Sequence, residues 1–319
     1  MPIQIMVLPV FSMESKTADF RGFSAAIVNQ EPTGMKSVLV AFLSACLLLF
    51  SCSPSEAQAI DYNRLIVEMI REMPNNGGGR YAKYQKSQRG REFEDLYQTV
   101  ADLDAAIGTG IGGKLKVNPQ KAARLSFCSS ATYLLFAEVL EDLQDKGLKI
   151  AAPVNREISD IGDKTAVIKG KMDGIGIFGH WNADGPGTAV LFQRLGLGTN
   201  FSSFEKARPG DFLKIFWNEN IGKGERGHLV IYLGTSADGK SIKVWSSNTT
   251  NANQTSGYGT MWVEKSRVKR ALFSRLEHPE NLNRWQKFSE SEKKSDYLIR
   301  IRKTGSTGAE MKKVTGALD

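Results

Sequence analysis

The spacing of apolar positions changes part-way along the chain. Ile60, Leu65, Ile66, Met69 and Ile70 recur at helical intervals, which predicts a helix over 60–76 that the Asn75-Asn76-Gly77-Gly78-Gly79 cluster stops. Phe93, Leu96, Tyr97, Val100 and Leu103 predict a second helix over 91–107, with loop at 108–113. The strongest amphipathic run predicts a third helix over 128–145, closed by Lys146-Gly147. The glycine-rich stretch 174–187, GIGIFGHWNADGPG, reads as loop, and a short helix over 188–195 ends at Gly196. After Pro209-Gly210-Asp211 the period falls towards two. Strands are then predicted at 212–217, 228–233, 241–245 and 268–276. Helices first and a run of antiparallel strands afterwards make an α+β layout.

The N-terminal pattern is of another kind. Lys36 precedes an apolar run, 38–50, about as long as the core of a secretory signal and short for a membrane span. Met35 is therefore read as the start, and 1–34 as an extension of the gene. Two exits follow the run. Leu49-Phe50-Ser51-Cys52 is lipobox-like, which would make Cys52 a lipid anchor, and Ala57-Gln58-Ala59 offers a small-x-small cleavage site. Either exit predicts export to a bacterial cell envelope. The expected organisation is 1–59 as extension and signal, 60–285 as the functional domain with its N-terminal helices, and 286–319 as a basic tail. That tail carries eight Lys or Arg against five Asp or Glu and reads as a solvated extension.

Charge and composition narrow the function. The 319 residues carry a formal charge of +8, which suits an anionic wall polymer or lipid surface. The basic residues are dispersed without a recognition motif, so nucleic acid is not expected as a partner. Three scattered histidines show no metal-ligand spacing. Gly174, Gly176 and Gly179 formally spell a dinucleotide fingerprint. Pro186 stands where its helix should begin, and no acidic residue follows at the required distance. No cofactor is implied.

Export would leave Cys128 as the one free thiol, because Cys46 and Cys52 are removed or modified. A cysteine in the first turn of a helix, with Ser126 expected as N-cap, gains acidity from the unpaired amides there. His228, heading the strand GHLVIYLG, is the candidate base. Asn248, or the weaker Ser246, lies on the following strand SIKVWSSN and is the candidate that orients the imidazole. His180, Trp181 and Asp184, in the glycine-rich loop, are expected to wall the substrate cleft.

The order FCSSATYLLF, RPGDFLKIFW, GHLVIYLG and a polar-ended strand resembles the NlpC-type cell-wall cysteine peptidases and the related CHAP amidases. The resemblance covers 124–276. It implies a papain-like core, in which the cysteine-bearing helix packs on an antiparallel sheet that carries the histidine. It further implies hydrolysis of peptide or amide bonds of peptidoglycan. Phe127 stands where relatives often carry Asp or Asn, and no second histidine follows on the next strand, which leaves Asn248 or Ser246 for the third position. A catalytically silent envelope-binding protein on this fold, or an acyltransferase or deamidase using the same pair, are the alternatives.

Overall fold

The structure, a computed structural model, describes residues 60–74, 80–81, 89–122, 125–161, 174–248 and 257–319. The expected signal within 1–59, Cys52 included, lies outside them. Among the described residues no helix is long and apolar enough to cross a membrane.

The helices are α1 (Tyr62–Met69), α2 (Arg89–Ala106), α3 (Cys128–Asp145), α4 (Ala152–Ser159), α5 (Gly176–Trp181), α6 (Gly187–Leu195), α7 (Asp296–Thr304) and α8 (Gly308–Thr315). Two short two-stranded sheets pair β1 (Arg80–Tyr81) with β4 (Leu125–Ser126) and β2 (Ile107–Thr109) with β3 (Leu115–Val117). The main sheet has six strands: β5 (Gly198–Phe201), β6 (Phe212–Phe216), β7 (His228–Thr235), β8 (Ser241–Asn248), β9 (Gly257–Glu264) and β10 (Arg270–Leu276). Their spatial order is β5-β10-β6-β7-β8-β9, and every neighbouring pair is antiparallel. The fold is α+β.

α3 is the central helix. Tyr133, Leu134, Leu135, Phe136, Ala137, Val139 and Leu140 are all fully buried, so it is apolar nearly all round, as an enclosed helix must be. It shares one core with the sheet residues Phe212, Leu229, Ile231, Trp245 and Tyr258. The alternate sheet residues Leu213, Ile215, Val230, Tyr232, Val244 and Phe273 form a second core. The period of two seen in the strands thus sorts side chains between two apolar layers.

The Pro209-Gly210-Asp211 turn is the junction that starts β6. The fully buried Asp211 carboxylate takes two hydrogen bonds from Arg275 of β10, at 2.9 and 2.8 Å, and one from Asn63 of α1 at 2.8 Å. Gly210 has φ +98°, and a Cβ there would stand 2.3 Å from the Asn63 carbonyl oxygen, so α1 can close on the turn only over glycine.

Two expectations are corrected here. Residues 286–319 do not form a solvated tail. α7 and α8 bury Leu298, Ile301 and Met311 against Ile221, Phe216 and Leu272, and their charges occupy the outer face. The segment also reaches β5, where Leu318 bridges Phe201 in parallel and exchanges hydrogen bonds with Asn200 and Ser202. The glycine-rich stretch, expected as loop, carries α5. Gly187 permits this, because a Cβ there would lie 2.0 Å from the His180 carbonyl oxygen.

Candidate active site

Cys128 is the first residue of α3, and Phe127 is its N-cap in place of the expected Ser126. Ser130 closes the turn: its hydroxyl accepts the Phe127 N–H at 2.7 Å and donates to the Phe127 carbonyl at 2.9 Å. The first helical bond runs from Ala131 N to Phe127 O, so the amides of Cys128, Ser129 and Ser130 have no intrahelical acceptor. Phe127 has no side-chain acceptor to cover them.

Behind this turn, hydroxyls fix the chain. Ser126 donates to Ser247 Oγ at 2.6 Å, and Tyr258 donates to the Ala122 carbonyl at 3.4 Å. In front, Ser129 donates to Asn182 Oδ1 at the end of α5. The helix start is therefore held between the sheet and the α5 corner.

His228 is the first residue of β7 and half-buried. It pairs in register with Ile215, and strict alternation would turn it to the face of Val230 and Tyr232. At the sheet end its ring meets both Trp217, with centroids 6.3 Å apart at 28°, and the Cys128 thiol. Burial pushes that thiol up. The charge and hydrogen bond of His228, the Lys214 ammonium and the Leu229 backbone amide outweigh burial, and the thiol sits at about 6. Cys128 is only 8% exposed, so little water competes for these contacts.

Leu229 joins the two halves. Its amide meets the thiol, and its carbonyl accepts the Ser246 hydroxyl at 2.8 Å. Ser246 Oγ also lies 3.4 Å from the Cys128 carbonyl. Ser246 is thus fully buried beside the Cys128–His228 pair, with its hydroxyl turned to the backbone carbonyls of Cys128 and of Leu229, the residue after His228. Asn248 is the last residue of β8 and pairs with Gly257 of β9, and its side chain lies outside the described residues.

The three expected cleft residues are placed otherwise. Trp181 is fully buried, stacked on Phe136 at 4.7 Å, with its Nε1–H given to Thr132 Oγ1 at 3.1 Å. His180 is also fully buried. Its Nδ1 lies 2.7 Å from the Gly176 carbonyl and its Nε2 2.6 Å from Arg194 Nη1. Burial, opposed by the Gly176 hydrogen bond and assisted by Arg194, holds that imidazole down at about 4, hence neutral. Asp184 is partly buried between Arg226 and Arg302, at 3.7 and 3.8 Å. Two of the three are core and the third is an ion-pair residue; one turn of helix carries His180 and Trp181 inward, and only its end, at Asn182, reaches Cys128's neighbour.

Lys214 escaped the sequence reading. The signal was present: a lysine at the centre of Phe212-Leu213-Lys214-Ile215-Phe216, on the same side of the strand as two core phenylalanines. The hydroxyls of Ser126 and Ser247 carried no comparable signal.

Comparison of the chain with protein-family models, with curated proteins and with solved structures finds no match.

Proposed function

We propose that this protein is a cysteine hydrolase that cleaves peptide or amide bonds, with peptidoglycan peptides as its substrate class. The observation that carries the reading is the meeting of Cys128, at a helix front, with His228, at a strand start, around the Leu229 backbone. A helix led by cysteine and packed on an antiparallel sheet that carries the histidine is the arrangement of a papain-like core, and it supports the resemblance to the NlpC and CHAP enzymes. Export to the cell envelope, with Cys52 as a lipid anchor, belongs to the same reading.

The chemistry follows from the groups in place. The Cys128 thiolate attacks the carbonyl carbon, and the C=O electron pair moves to oxygen. Amides of the first turn of α3 face the developing oxyanion with no side chain from Phe127 to occupy them. The His228 imidazolium gives its proton to the leaving amine as the C–N bond breaks and a thioester forms. Water, giving its proton to the now neutral imidazole, attacks the thioester. The C–S bond then breaks with its electron pair on sulfur, which restores the thiolate. Asn248 remains the proposed orienter of the imidazole; Ser246 secures the carbonyls of Leu229 and Cys128 and so fixes the distance between nucleophile and base.

The test is incubation with purified peptidoglycan fragments, with products separated by mass. Wild type is expected to release new amine and carboxylate ends, and Cys128→Ala none. Equal release by both proteins, or release by neither, refutes the reading.

A further inference from the structure

The β6–β7 ladder stops at the pair of Ile215 with His228. In a continued antiparallel ladder the Trp217 amide would next meet the Arg226 carbonyl. Instead that carbonyl accepts the Gly185 amide at 3.0 Å, and the amides at the parting of the strands converge on one side chain. Glu225, 7% exposed, accepts Trp217 N–H and Asn218 N–H on Oε2, at 2.9 and 3.1 Å, and Gly227 N–H on Oε1, at 2.8 Å. A tight turn delivers it. The Gly222 amide donates to the Glu225 carbonyl at 2.9 Å, and the Glu225 amide to the Gly222 carbonyl at 3.1 Å.

One carboxylate thus holds both supports of the His228 ring. Oε1 fixes the residue that leads into His228. Oε2 fixes the strand end whose exposed indole lies against the imidazole, with centroids 6.3 Å apart. Gly227 bends the chain just before the ring, with φ +75°, and a Cβ there would lie 2.5 Å from Lys214 Cε. A strand released from its ladder is no longer bound to strict alternation, so His228, the last paired residue, can carry its ring round the sheet end to Cys128. The acceptor has to be a carboxylate. Three N–H groups point at it, and a carboxamide would turn its own NH2 towards at least one of them.

We propose that Glu225 is a positioning residue for His228: its carboxylate, set between β6 and β7 where they part, fixes the place of the imidazole against the Cys128 thiol. The inference rests on the reading of Cys128 and His228 as the reacting pair and deepens it. The imidazole must give a proton to the leaving amine and later take one from water, from a single position beside the sulfur. A misplacement of about 1 Å at such a pair can cost about 100-fold in rate. Glu225 touches neither substrate nor ring; it acts through the backbone on either side of the histidine.

The test is alkylation of Cys128 by iodoacetamide in the folded full chain, followed peptide by peptide by mass spectrometry across pH. It needs no substrate. Removing the Glu225 charge acts on the thiol in two opposite ways. Loss of a nearby anion alone would lower the inflection, whereas displacement of the imidazolium raises it. Glu225→Gln is expected to raise it by about one pH unit or more, towards the free-thiol value of about 8.5. A folded Glu225→Gln with an unchanged or lowered inflection overturns the proposal. So does an equal rise in Leu298→Ala, which loosens the fold without touching the three amides. Should the glutamine variant not fold, Glu225→Asp decides, because it keeps the charge on a stem too short to span both strands. A raised inflection there supports the positioning role, and the wild-type inflection overturns it. A wild type that alkylates as an ordinary thiol, with His228 or with His228→Gln, removes the reacting pair and this inference with it. A chain that shows the Glu225 dependence yet releases nothing from peptidoglycan keeps the inference and loses only the substrate assignment.

Discussion

Acid should weaken this fold through His180. The imidazole is fully buried, and its Nε2 faces a guanidinium at 2.6 Å, so a second ring proton would point at a cation in a dry site. Its folded value of about 4 lies below the ordinary 6.5, so the neutral form is the one the fold accepts. The sign follows: stability is intact above about pH 6.5 and is lost as pH falls from there towards about 4. A gap of this size corresponds to about 3 kcal/mol in full, and about 2.5 kcal/mol at pH near 4.5. That is a large part of a typical margin of about 5–15 kcal/mol. Urea unfolding of wild type and His180→Gln at pH near 7.5 and near 4.5 isolates the effect, because the carboxylates titrate alike in both proteins. The variant should be the less stable at the higher pH, since it loses the contacts to Gly176 and Arg194. Its deficit should shrink by about 2–3 kcal/mol at the lower pH. A deficit that does not change with pH would mean that His180 does not fold as a buried neutral ring. The same proton should loosen the neighbouring Asn182–Ala183 corner, which touches Ser129 and Lys214.

Other expectations are direct. Asp211→Ala leaves Arg275, whose side chain is 15% exposed, without its bidentate partner, and should cost about 3–5 kcal/mol in chemical denaturation. Arg275→Lys should cost less but not be silent, because the fork is lost. Leu298→Ala empties a fully buried site where α7 meets the sheet and should cost about 2–5 kcal/mol by the same assay; a loss under about 0.5 kcal/mol would show α7 to be loosely attached. Gly227→Ala must displace the Lys214 stem, so alkylation of Cys128 near pH 7 should slow while circular dichroism stays native; an unchanged rate would contradict the packing of Lys214 beneath that residue.

The elements that carry the site were legible because their signals are local. α3 begins at Cys128 where the sequence places it, and β6, β7, β8 and β10 lie on the predicted strands with shifted ends. Cys128 and His228 meet, although a hundred residues separate them, because each heads an element of clear period. What stayed hidden depends on tertiary context. α5 looks like loop because of the glycines within and around it, and the close approach that Gly187 of α6 allows to the His180 carbonyl emerges only in the assembled fold. The charged run 286–319 conceals two helices whose buried stripes amount to Leu298, Ile301 and Met311. β9 begins with Gly257 and Gly259 and leaves Trp262 55% exposed, so it has no apolar run to betray it. Lys214 breaks the strand pattern, and its placement emerges only when β6, β7 and the α5 corner are assembled. The same holds for Trp181: a loop tryptophan beside a histidine suggests a cleft until its indole N–H is found paired inside the core.

The backbone bridge at Leu318 has a consequence for handling the protein. β5 is an outermost strand of the main sheet, and an open outer strand is a template on which a second chain can add. Here Leu318 already occupies backbone groups of Asn200 and Ser202. Trimming the last few residues, or fusing a rigid partner directly after Asp319, would unseal that margin. The first symptom would be concentration-dependent self-association, seen by light scattering before any loss of helix or sheet signal.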